Sequence, residues 1–141
     1  MPLSDVFLGE LATISKINED TAPARGSNGI DVKGVDLIKL AVLCTLIESI
    51  TFEDALEAFP LVHEVSEEGP WVYQFPSWFV AKLATLDATS AEGFAQQWGV
   101  IDEFRLDRFS QGQVAEVMHE LVRVAKDAIA SGRDMFLWNC H

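Results

Sequence analysis

The 141 residues, 49% apolar and 23% charged, have the bulk for a single domain over 1–141 whose core needs no metal or disulfide staple. A net charge of −12 argues against anionic partners, nucleic acid and acidic membrane surfaces alike. Two cysteines, Cys44 in an apolar run and Cys140 next to last, make no disulfide framework and fit a reduced, cytoplasmic setting.

The opening MPLSDVFLGE has no basic region and an early acid, so no secretory leader is expected. Val6, Phe7, Leu8, Leu11, Ile14 and Ile17 make this region apolar, and 11–17 suits either a short helix or a short strand. Residues 18–34 carry Pro23, Gly26, Gly29, Gly34 and the pair Asn28-Gly29, which reads as a loop. It is long for a compact domain, and loops of that length commonly carry function.

Residues 35–50, VDLIKLAVLCTLIESI, are the stretch the chain is organised around. Wound as a helix, they put Leu37, Leu40, Ala41, Cys44 and Ile47 on one side and Val35, Ile38, Val42 and Leu46 on the other. A helix apolar all round is expected to be wrapped by neighbours on every side. Its near-continuous apolar run from Leu40 to Ile47 spans eight residues, far below the ~18 needed to cross a membrane.

Thr51 then caps a second helix, with Glu53 and Asp54 in its first turn, Phe52, Ala55, Leu56 and Phe59 as its stripe, and Pro60 as its stop. Trp71, Tyr73 and Phe75 alternate with Val72 and Gln74, a period of two that suits a short strand. Pro76-Ser77 opens another helix, Ser90 caps one from Ala91 to about Trp98, and Ser110 caps the last, which runs to about Ser131 before Gly132. The tail MFLWNCH is too apolar for water and is expected to dock back in extended form. The expected fold is mainly α: a compact helical domain of five or six helices around 35–50, with at most short strands near 11–17, 71–75 or in the C-terminal tail.

No nucleophile elbow, phosphate loop or zinc-protease pattern is present, so no catalytic residue is assigned and no cofactor is expected. His63-Glu64 is a weak metal or general-base candidate, since no second His follows at the spacing a metal needs. His119-Glu120 falls on the polar side of the last helix, where Glu120 can pair with Arg123 and Arg123 with Asp127.

The charge pattern is more informative. Between Lys39 and Lys82 there is no Lys or Arg, while Glu48, Glu53, Asp54, Glu57, Glu64, Glu67 and Glu68 all fall in that interval. They form either a solvated rim neutralised by Arg105, Arg108 or Arg123, or a docking surface for a basic partner. Beside them stands an aromatic block, Trp71, Tyr73, Phe75, Trp78 and Phe79, which is either core or an aromatic-lined site.

VDLIKLAVL, PSWFVAKLATL and the closing FLWN resemble small bacterial proteins of unknown function, over about half the chain. That resemblance implies a bacterial protein and brings no catalytic residues. The leading expectation is a non-enzymatic interaction protein, immunity-like or adaptor-like by size and charge, docking a basic protein through 48–68. Two alternatives stand beside it: a small-molecule or metal-binding domain using Trp71, Tyr73 and Trp78 with the acids of 48–79, and an unrecognised hydrolase using His63. Monomer and homodimer are both open.

Overall fold

The structure is a computed structural model that describes residues 3–16, 29–32 and 34–140. Its elements in chain order are β1 (Leu3–Gly9), a 3₁₀ helix (Leu11–Lys16), β2 (Gly29–Asp31), α1 (Leu37–Glu48), α2 (Phe52–Glu57), β3 (Leu61–Glu64) and β4 (Trp71–Gln74). There follow α3 (Ser77–Thr85), α4 (Ala88–Gly99), α5 (Asp102–Leu106), α6 (Gln111–Ser131) and β5 (Asp134–Cys140). The expected loop over 18–34 therefore gives way to a strand at Gly29, while its residues 18–28 and 33, and residue 17 of the preceding stretch, lie outside the described residues.

The mainly α expectation is overturned by a five-stranded sheet, antiparallel at every pair, in the order β2-β1-β5-β4-β3. The tail docks in extended form as expected, but as the sheet's central strand: β5 pairs with β1 from Leu3–Cys140 to Gly9–Asp134 and with β4 on its other side. The strand at Trp71–Gln74 is present, whereas Leu11–Lys16 is a 3₁₀ helix.

The difference has a physical cause. β1 and β5 are inner strands, each buried over five successive residues, because both faces of the sheet are covered. Such strands lose the alternation that marks a half-exposed strand, and a short unbroken apolar run reads equally as part of a helix.

On one face Val6, Leu8, Met135 and Leu137 join the main core with the helices. There α6 lies on β1 and β5 and packs against α3 and α4. On the other face Phe7, Val72, Phe136 and Trp138 cluster with Ile14 of the 3₁₀ helix, and Phe7 stacks on Phe136 at 5.4 Å. The α6 boundaries follow the sequence closely. Ser110 and Gln113 form a reciprocal capping box, and Gly132 ends the helix at φ 66°. α4 starts earlier than expected because Asp87, not Ser90, is its cap, accepting the Ser90 N–H at 2.7 Å.

α1 is capped by Asp36, whose carboxylate accepts the Lys39 N–H at 3.0 Å. It is not wrapped on every side: Ile38 stands 46% exposed, and Val42 and Leu46 are half-buried. The unforeseen core member is Lys39, 1% exposed. Its ammonium donates to the Gly34 carbonyl at 2.6 Å and to the Asp107 carboxylate, and it sits 5.6 Å from the Phe104 ring and 5.7 Å from that of Phe109. A buried cation needs this double satisfaction, since desolvation would otherwise drive out the charge. The pair ties the start of α1 to the segment after α5.

Candidate functional site

The stretch singled out by charge is a connected piece of structure: the end of α1, all of α2, β3 and the turn into β4. Thr51 caps α2 by accepting the Asp54 N–H at 3.1 Å, which places Glu53 and Asp54 at the positive end of the helix dipole. In the turn after β3, the Ser66 hydroxyl donates to the Gly69 carbonyl at 2.8 Å and accepts the Glu68 N–H at 3.3 Å. Gly69 is required there: its φ is +88°, and a Cβ would fall 2.8 Å from the Trp71 ring. That turn holds Glu67 and Glu68 out into solvent.

Of the seven carboxylates only Glu48 is half-buried; Glu53, Asp54, Glu57, Glu64, Glu67 and Glu68 are exposed. Among the described residues none has a Lys or Arg nitrogen within 4 Å, and two of the expected counter-charges, Arg105 and Arg123, pair with other acids. Arg105 pairs with Asp102 at 3.7 Å, and Arg123 with Glu120 at 2.8 Å and Asp127 at 3.5 Å. Glu64 also acts inward. It lies close enough to Tyr73 to hold the phenol above its ordinary pKa of 10, adding to the larger effect of burial.

The aromatic block divides. Phe75 and Phe79 are core, joined with Phe59 at ring distances of 5.2 and 5.9 Å, so that the end of α2, the end of β4 and α3 share one aromatic knot. Trp71 and Tyr73 are half-buried on β4, and Trp78 is 45% exposed at the start of α3. Phe52 on α2 and Leu61 on β3 are also exposed apolar side chains, at 37% and 47%.

Strand geometry counts against joint chemistry by His63 and Glu64. His63 sits opposite Val72 and Glu64 opposite Trp71 on β4. Successive strand residues point to opposite faces, so the pair does not converge on one metal ion or one proton. Among the described residues no group of three His, Cys, Asp or Glu side chains is placed to hold a metal.

The sequence did not reveal a cleft of about 480 Å³ between β2 and α6, lined by Ile30, Asp31, Val32, Glu116, Val117, His119 and Glu120. Its two walls come from segments far apart in the chain, and β2 is only three residues long, so no local pattern announces it. His119 is exposed on α6, with Nε2 3.8 Å from a Glu92 oxygen on α4.

The cysteines form no disulfide. Burial, and then the nearby Glu48 carboxylate, push the Cys44 thiol from its ordinary 9.0 up to about 12. The core thus accepts Cys44 only as the thiol. Its contribution to stability is complete below pH 9 and is lost as pH rises from 9 toward 12. Urea melts on either side of pH 9 are expected to show that loss in the native sequence and a flatter profile in Cys44→Ala. Equal slopes would contradict it. Among the described residues, no helix is long and apolar enough to cross a membrane.

No family model, curated protein or solved structure matches the chain.

Proposed function

We propose that this chain is a non-enzymatic docking protein, acting in the reducing cytoplasm, whose α2–β3 surface engages a basic protein and has no nucleic-acid partner. The observation that carries this reading is the absence of counter-charge. Six exposed carboxylates on α2, β3 and the turn after β3 have no Lys or Arg nitrogen within 4 Å among the described residues, exposed Phe52 and Leu61 stand on α2 and β3, and exposed Trp78 stands at the start of α3. Uncompensated charge steers an oppositely charged partner and suppresses like-charged ones, while apolar and aromatic anchors supply contact area.

The test uses a short peptide of alternating Lys and Val, titrated into the intact protein and followed by tryptophan fluorescence. Binding is expected to weaken by at least about tenfold on going from low to physiological salt. It is expected to weaken by a similar factor in the triple variant Glu57→Lys, Glu64→Lys, Glu67→Lys. All three positions are exposed, so the fold tolerates the exchange. Undiminished binding by the triple variant would overturn the proposal.

A second reading, a small-molecule-binding domain, draws support from the β2–α6 cleft rather than from the acidic and aromatic stretch. A thermal shift with aliphatic amines that is lost in Glu116→Gln would favour it over protein docking.

A further inference from the structure

We infer that β3 receives the basic partner as an added strand, so that an extended Lys- or Arg-bearing segment extends the sheet beyond β3. This rests on the docking reading above and specifies how that docking is made. In the strand order β2-β1-β5-β4-β3, β3 is an outer strand; among the described residues it pairs with β4 alone, and the 3₁₀ helix also lies against it. The hydrogen bonds to the β4 side set which backbone groups are spent. Gln74 N–H donates to the Pro60 carbonyl at 3.0 Å, and Val65 N–H donates to the Pro70 carbonyl at 3.0 Å.

The register shifts between Leu61 and His63, so Val62 is the extra residue of a bulge. Counting alternately from each inward bond, Leu61 and Glu64 are the positions whose N–H and C=O point away from β4. The bulge makes them successive outward positions, the two rungs that an incoming strand needs.

Outer strands are normally guarded against such pairing, most often by Lys. Here the guard is entirely acidic: no Lys or Arg occurs between Lys39 and Lys82. Glu57 precedes the strand, Glu64 lies on it, and Glu67 and Glu68 follow in the turn. A second copy of this chain brings another net charge of −12 and is repelled. A basic strand is drawn in. Leu61, 47% exposed, offers it an apolar contact between the charges. Pro60, the bulge and the strand's four-residue length confine the pairing to a short segment, so backbone bonds set the register and the flanking charges supply much of the attraction.

The experiment compares the Lys-Val peptide with the same peptide N-methylated at alternate residues, which keeps its charge and removes the donors a strand needs. Full-chain protein is used, with amide exchange read at Leu61 and Glu64. The unmodified peptide is expected to slow exchange at both amides, and N-methylation to weaken binding by about tenfold or more. Leu61→Pro, which removes an outward N–H and leaves the bonds to β4 intact, is expected to reproduce that loss with Tm little changed. If the N-methylated peptide binds as tightly as the parent, strand addition is wrong while docking stands. If neither peptide binds, the docking reading fails as well.

Discussion

Asp107→Ala is expected to destabilise the protein by about 3 kcal/mol, although Asp107 lies outside every regular element and its side chain is one-third exposed. The cost arises at Lys39. With its carboxylate gone, an ammonium 2% exposed keeps one carbonyl partner, Gly34, and two ring faces, and its charge is no longer balanced. The expectation sits at the low end for a broken buried pair because the space Asp107 vacates admits water.

Lys39→Met keeps the length of the side chain between Phe104 and Phe109 and leaves behind a carboxylate that water reaches. It is expected to cost only about 1–2 kcal/mol, chiefly the lost donor to Gly34. The double variant is expected to fall near Lys39→Met alone rather than at the sum, since the two changes remove one interaction. Urea denaturation of the four proteins checks the order. If Lys39→Met proved worse than Asp107→Ala, the buried charge would not be what the pair protects against.

Trp98→Ala is expected to cost about 3–5 kcal/mol and to lower Tm by about 10–15 °C. Trp98 is fully buried, meets Phe104 edge-on at 4.8 Å and donates its indole N–H to the Lys39 carbonyl at 2.9 Å. It is thus the joint between α4, α5 and α1. Trp98→Phe retains much of the ring contact and loses the hydrogen bond, and about 1–2 kcal/mol is expected. The Lys39 carbonyl keeps its place within α1, so no acceptor is orphaned. Thermal melts followed by circular dichroism separate these outcomes, and a Trp98→Ala protein that melts with the parent would show that the α1–α4 joint is dispensable. Because Trp98 and Asp107 both act on Lys39 and Phe104, their combined effect is expected to be non-additive.

The two stability predictions centre on residues the sequence marked poorly. A lysine inside an apolar helix reads as a surface residue, and its partner lies 68 positions away in sequence. The acidic stretch was legible because charge is a property of composition: an interval without Lys or Arg stays uncompensated unless the fold imports a cation, and here Arg105 and Arg123 pair with other acids. The aromatic block was legible as a feature but not in its division, since only packing decides that Phe75 and Phe79 turn inward while Trp78 stays outside.

What the amino-acid sequence determined by itself is local. Capping chemistry and 3.6-residue periodicity bound α6 from Ser110 to Gly132, Thr51 starts α2, and period two marks β4. What only the tertiary structure decided is the sheet. β1 and β5 meet across nearly the whole chain length, both faces of their pair are covered, and β2 and β3 are three- and four-residue edges. Strand pairing is made by backbone groups that every residue carries, so nothing in a short apolar run names its partner. That choice belongs to the folded chain, and it is the same choice that turns β3, with Glu64 on it and further acids flanking it, into a sheet edge.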